Sequence, residues 1–254
     1  MSIGRILNTA FGAIFGNLLV MLGIAFLFGG LPQGVISYFQ QSLTPQLASG
    51  SISVGQYAGV VILGSLLNMV FAVLAQGALV RATIASSHGE RATFGECLST
   101  ALRRLLPLLG LGIVSGLAVG FAAILLIVPG IILAIMWYVA APVVVAEREG
   151  VFAALGRSAD LTKGERWNVF VVLLILFAML VGVVILSAVI GGIAGAMGIL
   201  TSGSNMMPLF TGGLAVVTGT ISAMIAGALP TAVYIELRGL KEGPETQGLD
   251  AVFA

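Results

Sequence analysis

The sequence predicts an all-α, polytopic membrane protein whose six transmembrane helices form three hairpins, each preceded by an amphipathic helix. Two observations support this fold class. Hydrophobic residues make up 59% of the 254 residues and charged residues only 8%, whereas about 25% of a typical soluble domain is charged. In addition, apolar runs of about 20 residues, the length that a helix needs to cross a bilayer, alternate with short charged segments.

The six apolar runs predict one integral-membrane domain over residues 1–240 and a short tail at residues 241–254. The predicted spans are residues 13–28, 57–80, 105–127, 131–146, 168–190 and 209–235. The first is interpreted as a retained span and not a signal peptide, because no small-residue cleavage site follows it. The third and fourth come from one uncharged run, which as a single helix would be about 63 Å long and too long for one crossing. Pro129 and Gly130 are expected to divide this run with a tight turn.

The charged residues predict the orientation of the chain. With six crossings, every Lys, Arg, Asp and Glu lies on one side of the membrane, and the connections on the other side, residues 29–56, 129–130 and 191–208, carry none. The positive-inside rule places the charged side and both termini in the cytoplasm. The uncharged connection 29–56 is expected to be either a helix on the outer surface or a cap over a cavity.

Three charged segments are predicted to form amphipathic helices, at residues 2–11, 93–104 and 151–161, because apolar residues recur there every three or four positions. The expected apolar stripes are Ile3, Ile6, Leu7, Ala10 and Phe11; Phe94, Cys97, Leu98, Ala101 and Leu105; and Phe152, Leu155 and Ala159. Capping boxes are expected at Thr93–Glu96 and at residues 162–165. One unit repeated three times in the same orientation explains this pattern; so does any six-span chain with both ends inside.

Basic residues beside the spans are the candidate lipid or partner contacts: Arg103, Arg104, Arg157, Ser158, Lys163, Arg166 and the interface anchor Trp167. A basic residue near an anionic membrane surface contributes about 1 kcal/mol of attraction. Glu147, Glu149, Asp160 and Glu165 lie among them, so the alternative is topology determinants held in local ion pairs.

Polar and small residues inside the spans are candidates for helix contacts. Asn17, Asn68 and Gln76 are expected to hydrogen-bond neighbouring helices, and the alternative is that they line a polar path. Gly112, Gly116 and Gly120 lie on one face of the third span. We expect this face to pack inside the bundle, with dimerisation as the alternative.

A series of residues in the second half supports a family resemblance. It consists of Pro129, Gly130, Ile131 and Ile132, then Pro142 and Glu147, then residues 154–158 (Ala-Leu-Gly-Arg-Ser), residues 161–164 (Leu-Thr-Lys-Gly) and Trp167. In this series the chain resembles the membrane domain of bacterial glycerophosphoryl diester phosphodiesterases, and it is similar to YciC-like inner-membrane proteins. The resemblance implies a multi-pass membrane module of the bacterial inner membrane. We expect the catalytic barrel of the multidomain relatives to be absent, because its metal-binding carboxylates and histidines have no place here.

Two functions follow from these expectations. The first is a non-enzymatic membrane module, a scaffold or lipid-interacting partner of another envelope component. The second is a transporter or channel for a lipid or a small uncharged solute. The chain has one His and one Cys, so we expect no enzyme, no metal site and no cofactor. A net charge of +1 is too small for a nucleic-acid partner, which leaves membrane lipid and an envelope protein as the expected partners.

Overall fold

The computed structural model describes residues 1–196 and 206–243, and all regular structure in these ranges is helical. The elements are α1 (Ile3–Gly16), α2 (Leu18–Ile24), a π-helical segment (Ala25–Gly30), α3 (Leu31–Ala48), α4 (Val54–Ser87), α5 (Phe94–Arg103), α6 (Leu105–Leu125), α7 (Ile127–Met136), α8 (Ala140–Ala146), α9 (Val151–Thr162), α10 (Arg166–Ala196) and α11 (Met206–Glu242). The predicted all-α polytopic membrane fold is confirmed.

Six stretches of the described chain are long and apolar enough to cross a membrane. They are Leu18–Ala48, Val54–Ser87, Leu105–Leu125, Ile127–Ala146, Arg166–Ala194 and Met207–Glu242. Consecutive stretches pack as hairpins, α3 on α4, α6 on α7 and α10 on α11. The three hairpins differ in their surroundings, because α11 also packs against α1, α3 and α4, whereas α6 and α7 pack mainly on each other. The connection at residues 197–205 and the tail from residue 244 lie outside the described residues.

The first span differs from its prediction. α1 extends to Gly16, and an irregular Asn17 (φ −132°) separates it from α2, so the span begins at Leu18 and not at residue 13. Residues 29–48, predicted to lie outside the membrane, continue the same helical stretch through the π segment and α3. Pro32 does not end the helix because it lies in the first turn of α3, where a proline is tolerated.

The turn of the second hairpin was also predicted at the wrong residues. The chain reverses at Leu126, whose backbone is extended (φ −155°, ψ 127°), and Pro129 and Gly130 lie inside α7. Gly130 allows the hairpin to close. A Cβ at this position would lie 2.8 Å from the Cβ and 2.9 Å from the Cα of Ala123 on α6.

The three amphipathic helices are confirmed as α1, α5 and α9. Their buried residues include Ile6, Cys97 and Leu155, as the apolar stripes predict. Two stripe residues were assigned to the wrong face: Phe152 is 77% exposed and Phe11 38% exposed. Beside Leu155 and Leu161, α9 buries the hydroxyls of Ser158 and Thr162, which lie against the end of α7 at Met136.

One of the two predicted capping boxes is present. The Thr93 hydroxyl accepts from the Glu96 backbone, and the Glu96 carboxylate accepts from the Thr93 backbone. The box at residues 162–165 was predicted wrongly, because the Thr162 hydroxyl is buried inside α9 and donates to the Ser158 carbonyl. A box that was not predicted, at Ser53 and Gln56, begins α4.

Candidate functional site

A polar groove lies between several of the long helices. It has a volume of about 540 Å³ and is bounded by α4, α10, α11 and the segment that joins the π helix to α3. Its polar side chains are Gln33, Asn68, Gln76, Thr218 and Ser222. None of the described residues that line it is ionisable. We call it the amide groove.

The amide groove lies near the middle of the spans that form it. Gln33 is the middle residue of the stretch Leu18–Ala48, and Asn68 and Ser222 each lie within three residues of the middle of their own stretches. Both α4 and α10 contribute to the lining, but they do not form a packed helix pair. Val184, which lines the groove from α10, is 64% exposed. The groove is therefore open on the side of α10, near the middle of the helical stretches that line it.

Glycines bring two walls of the groove together. A Cβ at Gly30 would lie 2.2 Å from the Thr220 hydroxyl oxygen and 2.5 Å from the Val216 carbonyl, and a Cβ at Gly34 would lie 2.2 Å from a Val216 methyl. Only glycine allows such contact between backbones. The crossing of α3 with α11 was not predicted, although Gly30 and Gly34 have the four-residue spacing that signals it.

The π-helical segment lies directly beside this crossing and supplies Phe28 and Gly29 to the groove lining. Such wide turns are rare and occur often at functional sites. The segment changes the register of the chain immediately before α3, which places Gln33 on the groove side. Neither the spacing of the apolar residues nor a turn residue in this segment signals a π helix.

The amide side chains that line the groove form no hydrogen bonds within the described chain. In the described chain, the side chains of Gln33, Asn68, Gln76 and Ser222 make no hydrogen bond, and the Thr218 hydroxyl donates only to the Ala215 carbonyl of its own helix. The prediction that Asn68 binds a neighbouring helix was wrong, because its side chain lines the groove. The prediction for Asn17 was also wrong as to its partner, because its amide donates at 3.0 Å to the Ala92 carbonyl, which lies in the connection between α4 and α5 and not in a helix.

No described residue packs against the face of α6 that carries its three spaced glycines. Gly112, Gly116 and Gly120 are exposed, and a Cβ added to any of them would meet nothing within 4 Å. Packing of this face inside the bundle was therefore predicted wrongly. The reason is that α6 contacts α4 and α9 only through its other face, where Leu108 and Leu111 are buried.

Arg157 belongs to a network of ion pairs at the charged end of the bundle. Its guanidinium donates to Glu147 at 2.9 Å and to Glu242, which also accepts from Arg238 at 2.7 Å. The Tyr234 hydroxyl donates to Glu147 at 2.9 Å. The two carboxylates raise the pKa of Arg157 further above its usual range. The network joins α9 to α11, so Arg157 has a structural role in addition to any lipid contact.

Ser158 was predicted to be a lipid or partner contact, but its side chain does not reach the surface. It is fully buried, and its hydroxyl donates to the Met136 carbonyl at 2.8 Å. That carbonyl is available because α7 ends at Met136, before the irregular residues that precede α8. Ser158 therefore attaches α9 to the break between α7 and α8.

The other basic candidates remain accessible. Arg103, Lys163, Arg166 and Trp167 are exposed or partly exposed. The Arg104 guanidinium donates to the Arg148 carbonyl at 3.3 Å and is half-buried. No ion pair of the described residues involves these side chains. Their role in lipid or partner contact stays a prediction.

Cys97, the single cysteine, belongs to the packed interior of the protein. Its side chain is completely buried, and burial raises the pKa of its thiol to about 11. A protonated, buried thiol is a poor nucleophile. Within residues 1–196 and 206–243, no group of three His, Cys, Asp or Glu side chains is arranged to hold a metal ion.

Comparison of the chain with family models, with curated proteins and with solved structures found no match. The resemblance to the membrane domain of glycerophosphoryl diester phosphodiesterases therefore stays a prediction. We infer function from the geometry of the amide groove and of the charged end.

Proposed function

We propose that this integral membrane protein is a non-enzymatic, lipid-interacting module that holds an uncharged, hydrogen-bonding lipid in the amide groove. One observation carries the proposal: Gln33, Asn68, Gln76 and Ser222 line one groove, near the middle of their helical stretches, without hydrogen-bond partners in the described chain. Amides without partners in an apolar medium are unfavourable by several kcal/mol each. A ligand that supplies hydroxyl, ester or amide groups removes that cost.

The absence of charge in the groove lining selects the class of ligand. A phosphate or an ammonium group would need a counter-charge at this depth, and the described lining offers none. Amides both donate and accept, so they suit the hydroxyl and ester groups of a neutral glycerolipid. The exposed apolar side chains of Val184 and Met69 at the rim favour a ligand that arrives from the bilayer over a solute that arrives from water.

The charge pattern supports a location for the module. Contacts such as Arg5 with Glu236 at 3.0 Å and the Met1 amine with Glu165 at 3.7 Å bring charged segments distant in sequence to one end of the bundle. Under the positive-inside rule that end is cytoplasmic, in a bacterial inner membrane. A reporter that fluoresces only in the cytoplasm, fused after the last residue, is expected to fluoresce; a dark fusion present at normal amounts would contradict this orientation.

The experiment that tests the proposal is mass spectrometry of the lipids retained after mild extraction. The Asn68→Leu, Gln76→Leu double variant replaces two amides by apolar groups of similar size, which does not threaten folding in an apolar medium. Gln46→Leu, near the end of α3 and outside the groove, is the matched control. We expect the wild type and the control to retain one class of neutral lipid, and the double variant to retain about tenfold less.

Two outcomes would overturn the proposal. One is equal retention of neutral lipid by the double variant and the wild type. The other is a stoichiometric second protein in place of lipid, which would favour the scaffold function. If the retained lipid also crosses liposome membranes faster with the wild type than with the double variant, the module is a lipid transporter.

A further inference from the structure

A second groove lies between α7, from Val128 near the hairpin turn onward, and the first turn of α10. It has a volume of about 370 Å³, and apolar side chains dominate its lining: Ile131, Ile132 and Ile135 on α7, and Trp167 and Phe170 on α10. Trp167 packs edge-to-face on Phe170, with ring centroids 5.8 Å apart. Ile131 and Ile132 remain about 40% exposed. Such a channel is suited to an acyl chain.

Arg166 is the one charged side chain in the described lining of this groove. It is exposed and makes no ion pair in the described chain. The nearest carboxylate in the sequence, Glu165, is occupied by the Met1 amine at 3.7 Å and by the Asn168 amide. Lys163 is exposed in the same turn. The start of α10 adds its own partial positive charge.

Arg166 is the first residue of a candidate membrane span. It is the first residue of α10, and the neighbouring Trp167 is 80% exposed, as is typical of tryptophan at a membrane interface. Phe170, one turn further into the span, reaches the apolar part of the groove. A positive charge at the first turn of α10 thus borders an apolar channel.

We propose that the α7–α10 groove binds an anionic phospholipid, with one acyl chain against Ile131 and Phe170 and the phosphate on the Arg166 guanidinium. The planar guanidinium can bind two phosphate oxygens at once. The site is separate from the amide groove, because ten residues of α10, or about 15 Å of helix, separate Phe170 from Leu180 in the lining of the other groove. It also requires an anionic lipid, whereas the amide groove is proposed to bind a neutral one.

Tryptophan fluorescence tests this site directly. Trp137→Phe leaves Trp167 as the single tryptophan. The protein is reconstituted in phosphatidylcholine vesicles that contain increasing amounts of phosphatidylglycerol with brominated acyl chains, or of brominated phosphatidylcholine as a reference. Bromine quenches a tryptophan only on contact. We expect half-maximal quenching of Trp167 at a mole fraction of the anionic lipid about fivefold lower than that of the reference lipid.

Two variants test whether Arg166 causes the preference for the anionic lipid. Arg166→Gln is expected to remove the fivefold difference, and Arg103→Gln, an exposed arginine outside this groove, is expected to keep it. Inorganic phosphate is not expected to displace the lipid, because it lacks the acyl chain. If Trp137→Phe does not fold, lipid mass spectrometry of the wild type and Arg166→Gln replaces fluorescence, and the variant is expected to retain less phosphatidylglycerol.

Three results would overturn the inference. They are equal quenching by the two lipids, a preference that survives Arg166→Gln, and no quenching by either lipid because a second copy or a partner helix covers the groove. None of these results concerns neutral lipid or Asn68 and Gln76. The failure of this site and the failure of the proposed function are therefore distinguishable.

Discussion

Two regions of the molecule carry glycines at four-residue spacing, and they behave in opposite ways. At the crossing of α3 with α11, a Cβ at Gly34 would lie 2.2 Å from a Val216 methyl and 2.8 Å from the Gly212 carbonyl. On α6, a Cβ at Gly116 would meet nothing within 4 Å. Glycine spacing therefore identifies residues that share a helix face, but it does not show whether another helix lies on that face.

The facing helix explains the difference. α11 presents its own glycines, Gly212 and Gly219, to α3, and a Cβ on Gly219 would lie 3.0 Å from the Gly29 carbonyl. Apolar surface gains little by leaving lipid for protein, so helices approach closely only where both faces are small. No such face of the described chain lies opposite the exposed glycines of α6. We therefore expect substitutions in the two regions to differ strongly in their effect on stability.

The largest effect is expected for Gly34→Leu. The new side chain would overlap backbone and methyl atoms of α11, and overpacking of this kind lowers the free energy of unfolding by about 3 kcal/mol. Gly116→Leu is the matched control and is expected to change it by less than about 0.5 kcal/mol. Unfolding in detergent, followed by circular dichroism, measures both. Equal losses in the two variants would contradict the contrast between the two regions.

An intermediate effect is expected for Gly130→Leu. Ala123 of α6 lies within 3 Å of the position of the new Cβ, but the hairpin tip at Leu125 and Ile127 is more than 70% exposed. The hairpin can therefore open to relieve part of the overlap, and we expect a loss of about 1–2 kcal/mol in the same unfolding assay. Gly120→Leu, one turn before Ala123 and facing open space, is expected to lose almost nothing. A loss as large as that of Gly34→Leu would show that the hairpin is held as tightly as the α3–α11 crossing.

The smallest effect is expected for Arg157→Met, which tests the attachment between the two regions. α9 packs against α6, α7 and α11, and Arg157 joins it to Glu147 and Glu242. The Arg157 side chain is 34% exposed, so solvent screens these pairs and the expected loss is about 1 kcal/mol. The loss should shrink as salt is added. Arg103→Met, which breaks no ion pair of the described chain, should show neither the loss nor the salt dependence.

The candidate site could be predicted only in part. Asn68 and Gln76 stand out as amides in an apolar run, and a polar path was one of the two interpretations that the sequence allowed for them. Gln33 was placed in an outer connection, because the segment that holds it is uncharged and contains prolines. Its true position depends on the π-helical segment before it, and the apolar residues of that segment would suit an α-helix equally well.

The hairpin turn at Leu126 shows a similar limit. Proline followed by glycine is a strong turn signal in a soluble protein, yet here Pro129 fits the first turn of α7 and Gly130 fits the contact with Ala123. Both residues serve the packing of the hairpin and not its reversal. The sequence alone does not separate these two uses of glycine.

The sequence by itself determined that this protein folds in a membrane. It also determined the fold class, the number of spans, the three amphipathic helices and which segments carry the charges. Those properties depend on composition and on the local period of apolar residues. Only the tertiary structure decided which glycines lie against another helix, which amides line the groove and which arginines form ion pairs. In lipid, buried and lipid-facing residues are equally apolar, so no hydrophobic pattern marks the faces that meet. Contacts between distant residues make that choice.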